Sequence, residues 1–402
     1  EEARSNIGKF IGAEVDEIVF TSNTTDSINL AVDSIADHIK TDDEIIVSIS
    51  EHHSNMLPYL KLTKKGAKIR MVGIKDGIIN VEEIEKALNN KTKIVAVGHC
   101  SNVLGNINDV EKIGGIVKKH NKDILYVIDG TQAVAHLPVN VKKYHANFYA
   151  FSSHKMYGPD GVGVLYVSKD IHHLITPSRV GGGTVKNVAV TFEKEKDIIS
   201  PGYYQSLITL EGGTPNTSNI VGLSKAVNFI RSVGFDEIRN HELALLPYLF
   251  SELKKLEDIV IFGPTDLNKK IGVVSFGVKE YSTKELGDYL ARQKICIRYG
   301  AHCAFPLAEH LGQESLRVSI GVYNDQEDID HLLGEIQMFL NKKKGLIKNP
   351  NLEPLRNKIY YKNTAIVHSA QTIIEKIKSA IYNPRETEVL VMGGHFLAVP
   401  DM

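Results

Sequence analysis

Phe151-Ser152-Ser153-His154-Lys155-Met156-Tyr157-Gly158-Pro159, followed by the apolar run Val162–Val167, decides how this chain is read. An apolar strand ends in a polar cluster holding a lysine, Gly-Pro breaks the chain, and a second apolar strand begins. Ligands in open α/β sheets collect at such strand ends. A lysine there can form a Schiff base once desolvation or a neighbouring cation lowers its pKa from about 10.4. A lone lysine at a loop tip is more often simply solvated, so the reading depends on what surrounds it.

Outward from this stretch, short β-branched runs alternate with amphipathic segments through the first two thirds of the chain, the pattern of a parallel sheet covered by crossover helices. The runs Ile45–Val47, Ile94–Val97, Ile124–Ile128, Phe148–Phe151 and Val162–Val167 are too short and too uniformly apolar for surface helices and are expected to be buried strands. Ile28, Ala31, Val32, Ile35 and Ile39 recur at helical spacing, as do Val81, Ile84 and Leu88. From about Asn219 longer helical patterns take over, one of them around Phe235–Leu256. Strand candidates Ile259–Phe262, Ile271–Phe276 and Leu316–Ile320 follow, and then a helix of Asp325–Phe339 that stops at Asn341-Lys342-Lys343-Lys344-Gly345. A larger α/β unit followed by a smaller α+β unit is the expected architecture, with no internal repeat.

Two features upstream strengthen the lysine. Asp129 ends the strand Ile124–Ile128, where a carboxylate could pair with a protonated pyridine nitrogen, although Asp129-Gly130 also suits an ordinary Asx turn. Thr21-Ser22-Asn23-Thr24-Thr25-Asp26 separates a strand from a helix, so hydroxyls and free helix amides could hold a phosphate, or merely cap the helix.

The ordered set Thr24-Thr25, Glu51-His52-His53-Ser54-Asn55, His99-Cys100-Ser101-Asn102-Val103-Leu104-Gly105, Asp129-Gly130-Thr131-Gln132, Ser152-Ser153-His154-Lys155 and Gly213-Thr214-Pro215-Asn216 resembles the class V aminotransferase superfamily. Within it the pattern is similar to the group II cysteine desulfurases and selenocysteine lyases. The resemblance runs over essentially the whole chain. It implies fold type I of the pyridoxal 5'-phosphate enzymes: an α/β large domain with a mostly parallel seven-stranded sheet, and a smaller α+β domain. In numbers, residues 1–230 would form the large cofactor-binding domain and 231–342 the small domain, with 343–402 packing on both. By the same resemblance Lys155 carries the cofactor, Asp129 pairs with its ring nitrogen, and His52 stacks on the ring. Asn102 and Gln132 face its phenolic oxygen. Thr24, Thr25, Ser152 and His154 surround its phosphate, with Thr214 supplied by the second subunit of a homodimer.

Three cysteines among 402 residues cannot form a disulfide framework, and their odd number favours a reducing compartment. Cys296, in Ile295-Cys296-Ile297, reads as core packing, and Cys100 as a buried structural thiol near the site. Cys303 differs, because Arg298-Tyr299-Gly300-Ala301-His302-Cys303-Ala304-Phe305-Pro306 places it in a loop with a cation and an imidazole, and nearby positive charge favours the thiolate. This segment resembles the family's Arg-x-Gly-x-His-Cys-Ala-x-Pro loop, which implies a nucleophile. Arg317 would then grip the substrate carboxylate bidentately, with Arg298 as a second substrate-side cation and Asn102 beside it. The implied reaction takes L-cysteine to L-alanine with a persulfide on Cys303, passed to a sulfur-acceptor or scaffold protein for iron–sulfur assembly. L-selenocysteine is the alternative substrate. Two further readings stay open: a class V aminotransferase or lyase that does not use the thiol, and a cofactor-binding but catalytically silent interaction subunit.

Bulk composition agrees with a metabolic enzyme. With 47 Lys and Arg against 48 Asp and Glu, the formal charge is −1, and no net field recruits nucleic acid or an anionic membrane. No apolar stretch approaches the roughly 20 residues of a membrane helix. Glu1-Glu2-Ala3-Arg4 lacks the features of a signal peptide, so a cytoplasmic location is expected, and the donor chemistry implies no metal.

Members of the family open with a segment that precedes the helix resembling Glu1–Ile11. Here Lys358–Ala365 and the stretch with Ile373, Ile374, Ile377 and Ile381 resemble that opening but lie near the other end. Joining Met402 to Glu1 would place Asp401 as N-cap with Glu2 at N3, a capping-box arrangement. A circularly permuted order is therefore expected, with an unrelated C-terminal extension as the alternative reading. Where relatives carry Arg-Gly-x-His, this chain has Met392-Gly393-Gly394-His395, without the arginine.

Overall fold

The computed structural model describes residues 1–192, 197–204 and 206–346. The 347–402 segment, including Lys358–Ala365, Met392–His395 and the proposed join of Met402 to Glu1, lies outside the described residues.

Among these residues the largest sheet has seven strands: β1 (Ile18–Thr21), β2 (Glu44–Ser48), β3 (Lys68–Val72), β4 (Thr92–Gly98), β5 (Leu125–Asp129), β6 (Phe148–Ser152) and β7 (Gly163–Val167). Their order is β1-β7-β6-β5-β4-β2-β3. Pairings from β6 across to β3 are parallel, and of the seven strands only β7 runs against its neighbours β6 and β1. This is the mostly parallel seven-stranded α/β sheet that the resemblance implied.

Its central strands are uniformly buried because both faces are covered, and side chains alternate between the faces. Val95, Tyr126, Ile128, Tyr149 and Phe151 pack on one side with the helices Glu2–Ile11, Val110–His120 and Thr217–Val233. Ile94, Val127, Phe148, Ala150 and Leu165 pack on the other with Ile28, Ala31, Val32 and Ile35 of the helix Thr24–Ile35. That helix stops short of Ile39, which is still buried beyond a 3₁₀ turn of Ala36–His38.

The smaller unit has a four-stranded antiparallel sheet in the order Ile259–Phe262, Val273–Val278, Ser315–Ser319, Arg298–Gly300. The helices Phe235–Lys255, Thr283–Arg292 and Gln326–Lys343 pack against it. Asp325 caps the last of these in a capping box with Asp328. The strand expected at Ile271–Phe276 begins two residues later, because the Ile271 N–H is drawn away to Gly105 O at 2.8 Å.

Cys296 corrects the sequence reading: it is exposed, not core. Its segment is extended, so Ile295, Ile297 and Tyr299 pack inward while Cys296 and Arg298 fall on the opposite side. Outside both sheets, Val185–Phe192 and Asp197–Tyr203 pair as a hairpin bearing the exposed side chains of Val188, Val190, Phe192 and Ile199. Among the described residues no helix is long and apolar enough to cross a membrane.

Candidate active site

At the C-terminal ends of β4, β5 and β6 lies a cavity of about 820 Å³. Register builds it: Gly98 pairs with Asp129 and Asp129 with Ala150, so the strand ends stand side by side. Asp129 is the last residue of β5, and Lys155 closes the single 3₁₀ turn Ser153–Lys155 that follows β6.

One end of the cavity is a hydroxyl cup at a helix N-terminus. The Thr24 N–H donates to Ser152 Oγ at 2.7 Å, and the Thr24 hydroxyl lies 2.7 Å from both Ser152 Oγ and Thr131 Oγ1. Thr25 Oγ1 meets Ser54 Oγ at 2.6 Å. Asn23 caps the 12-residue helix Thr24–Ile35, whose positive end faces the cup. Gly163 permits this closeness, since a Cβ there would lie 2.6 Å from Asn23 Cα. Beside the cup, Asp26 accepts from Ser22 N–H and pairs with Arg179. Burial pushes its carboxyl upward, but the guanidinium and the Ser22 N–H hold it below the usual carboxylate range.

Deeper in the cavity, Asp129 accepts from the N–H of Thr131 at 2.9 Å and from its hydroxyl. Burial raises the Asp129 carboxyl above its ordinary range, opposed by Thr131 and the charge of Lys155. Lys155 itself is brought down to about 8, first by burial and then by Arg317, with Asp129 pulling the other way and Arg298 adding to the depression. His52 is pushed down to about 3 by burial and by Lys155, and so is neutral. Its Nδ1 accepts from Ser54 N–H at 3.1 Å, which assigns the ring proton to Nε2. Asn102, Gln132, His154 and Arg298 also border the cavity.

The thiol stands on a strained loop. His302 (φ 53°) and Cys303 (φ 56°) are consecutive non-glycine residues in the left-handed region. Both of their carbonyls are held from the large sheet's side. Asn102 Nδ2 donates to His302 O at 2.9 Å, and the His53 N–H donates to Cys303 O at 2.8 Å. The His53 ring also stacks on Phe305 and accepts its N–H at 3.3 Å. Arg298 Nη2 lies 3.6 Å from Cys303 Sγ. Arg317 donates Nη1 to Asn102 O at 2.9 Å, while its buried Nε has no partner among the described residues. Burial and Arg298 bring this guanidinium down to about 10. It is a half-buried cation that makes no ion pair among the described residues, turned toward the same corner as the thiol.

Ten of the thirteen site residues expected from sequence therefore border one cavity. Cys303 and Arg317 join it through Arg298, His53 and Asn102. Thr214 is exposed and does not line it, though its loop is tied in by Gly213 N–H to Gly182 O at 2.9 Å. Three contributors had no role assigned from sequence. Thr131 links Asp129 to the cup, Arg179 neutralises Asp26, and Glu51 is a buried carboxyl raised to about 8 by desolvation. Glu51 accepts from Asn55 Nδ2 at 2.6 Å. A polar residue two or three positions past a buried strand was the available signal for Thr131 and Glu51; Arg179 had none.

The donor set fits pyridoxal 5'-phosphate: a desolvated amine, a buried carboxylate needing a cationic partner, a neutral imidazole and a hydroxyl-lined helix end. Thr24, Thr25, Ser152 and His154 would hold the phosphate, Asp129 the ring nitrogen, and Lys155 the carbonyl carbon. When bound, the cofactor supplies an electron sink for a carbanion at the substrate's Cα. Among the described residues no group of three or more His, Cys, Asp or Glu could hold a metal ion.

Fold and site together define a fold-type-I pyridoxal-phosphate enzyme. The chain belongs to the aminotransferase class-V family, whose model matches residues 1–332. It is 38% identical over 341 residues to a probable cysteine desulfurase of Pyrococcus abyssi, covering 84% of this chain and 82% of that protein. Among solved structures it is similar to an apo cysteine desulfurase of Thermococcus onnurineus, with TM-score 0.79, 35% identity, and 85% and 83% of the two chains covered. It also resembles the cysteine desulfurase CsdA of Escherichia coli in an S-sulfonic acid form, with TM-score 0.77, 28% identity, and coverage of 85% and 83%.

Proposed function

We propose that this protein is a pyridoxal-phosphate-dependent cysteine desulfurase, converting L-cysteine to L-alanine and leaving the sulfur as a persulfide on Cys303. The observation that carries this reading is the Arg298–Cys303 contact of 3.6 Å, on a loop tied by its backbone to the cavity of Lys155. A cation beside a thiol favours the nucleophilic thiolate. The reaction balances as Cys303–SH plus L-cysteine giving Cys303–S–SH plus L-alanine. The names of the related proteins support it.

In this reading Arg317, with Arg298, receives the substrate carboxylate, and Asn102 orients it. Lys155 removes the proton from Cα and returns one to the product. Asp129 would hold a proton on the ring nitrogen, the neutral His52 would stack without adding charge, and Gln132 would face the phenolic oxygen. The thiolate of Cys303 attacks the substrate sulfur. L-Selenocysteine would enter the same way.

A homodimer suits the exposed Thr214, which would reach the partner's phosphate cup, and the apolar hairpin Val185–Tyr203 that no element of this chain covers among the described residues. The persulfide would pass to a cytoplasmic acceptor or scaffold protein. The test is Cys303→Ser in cofactor-loaded protein. Persulfide and alanine formation from L-cysteine should both fall about 10²-fold or more with cofactor absorbance unchanged. Alanine release at the parent rate would overturn the assignment.

A further inference from the structure

Four consecutive carbonyls of the loop that carries Asn102 are each bound by the smaller subdomain. Arg317 Nη1 donates to Asn102 O at 2.9 Å, Ser275 Oγ to Val103 O at 2.5 Å, Lys270 Nζ to Leu104 O, and the Ile271 N–H to Gly105 O at 2.8 Å. The seam continues with the Ile107 N–H donating to Lys269 O at 2.9 Å. Gly105 makes it possible: its φ is 69°, and a Cβ there would lie 2.5 Å from Val273 O.

Lys270 is the unusual member. It is 0% exposed, and among the described residues no carboxylate pairs with it. Burying an amine against a carbonyl is unfavourable compared with an apolar side chain of the same length, so packing alone does not account for a lysine here. Arg317 supplies a reason. Its guanidinium donates to Asn102 O, yet it is also a half-buried cation at the thiol corner, with its Nε unpartnered and no anion paired with it among the described residues. An arriving carboxylate competes with Asn102 O for those N–H groups. Unless the loop is held elsewhere, Asn102 shifts as substrate binds, and its hold on His302 O, next to Cys303, shifts with it.

We propose that Lys270 and Ser275 are positioning residues for the amino-acid substrate: they pin Val103 and Leu104 so that Arg317 can turn to the substrate carboxylate without releasing Asn102. This rests on the desulfurase reading for the identity of the substrate, but not for the existence of the clamp.

The test compares Lys270→Met, Ser275→Ala and Lys270→Arg in holoenzyme by cofactor absorbance, by kcat and KM for L-cysteine, and by hydrogen exchange of amides 101–107 without substrate. Lys270→Met is expected to raise KM about tenfold while kcat stays within about twofold. Exchange in the 101–107 loop should quicken, cofactor absorbance should stay the same, and Lys270→Arg should restore KM. Unchanged KM in both Lys270→Met and Ser275→Ala overturns the proposal, as does a Lys270→Arg variant indistinguishable from Lys270→Met. Cofactor loss and kcat loss together, at constant KM, also overturn it by showing a purely structural role. Should Lys270→Met fail to fold, Ser275→Ala, which removes one hydroxyl, carries the KM and exchange comparison. If the parent protein makes no alanine from L-cysteine, the desulfurase reading falls. The clamp is then judged by loop exchange and by the affinity for L-alanine, read as a change in cofactor absorbance; equal values in parent and variants overturn it.

Discussion

The Arg298 guanidinium meets the Cys303 sulfur at 3.6 Å across a backbone that passes twice through the left-handed region, at His302 and Cys303. The loop's shape and the thiol's electrostatics thus depend on each other. Arg298→Gln keeps polar bulk but removes the cation that lies 3.6 Å from the sulfur, and should slow alkylation of Cys303 by iodoacetamide relative to the parent. The exposed Cys296 serves as the internal reference and should react at the parent rate. Equal slowing of both cysteines would point to a global change rather than to this contact.

In the proposed role Lys155 would react as the free amine, and burial with Arg317 and Arg298 brings it down to about 8. Raising the pH through that value increases the reactive fraction, so the rate at which apoprotein takes up pyridoxal 5'-phosphate should climb and level off above about pH 8. An unperturbed lysine would level off only above about pH 10. Removing a neighbouring cation raises a lysine's pKa, so Arg317→Ala should move the midpoint upward. A profile that stays put in that variant would count against the coupling.

Asp129→Asn separates stability from chemistry. Burial already disfavours the charge of Asp129, and an amide oxygen can still accept from Thr131. The apoprotein should melt at the same temperature or higher. Turnover of the loaded variant should fall about 10²-fold or more, because the ring nitrogen loses its anionic partner. Calorimetry and single-turnover kinetics read the two effects separately.

Gly163→Ala forces a Cβ to within 2.6 Å of Asn23 Cα, so backbone must give way. The expected cost is about 1–3 kcal/mol of stability. Because the displaced backbone is the cap of the helix Thr24–Ile35, cofactor affinity should weaken as well. Thermal melting and equilibrium titration with pyridoxal 5'-phosphate test the two parts.

Much of this architecture was legible in the sequence because buried strands advertise themselves. Ile45–Val47, Ile94–Val97 and Phe148–Phe151 are apolar on both faces and sit in the sheet within a residue or two of their expected bounds. Strand β3 was not, since Lys68-Ile69-Arg70-Met71-Val72 lies at an edge with only Val72 fully buried. The hairpin Val185–Tyr203 has no core face to leave a periodic signal. Cys296 misled because an extended segment buries every second residue, and Ile295 and Ile297 took the inner positions. Within the site, Asp129 and Lys155 were readable as polar residues closing apolar strands. Arg179 was not, because its importance comes from Asp26, 153 residues earlier, and nothing local marks that pairing.

Strand β7 reverses the direction of the sheet right after the lysine. Residues 153–162 therefore form a short return between two hydrogen-bonded neighbours, closed at its base by the Ser153 N–H to Val162 O at 3.0 Å. An insertion there would prise β6 from β7 and is poorly tolerated. The outlying hairpin, which pairs only within itself, can change length without disturbing the sheet. Diversification within such a scaffold is thereby channelled: changes of length fall to the outlying hairpin, while the place of Lys155 between two paired strands stays fixed.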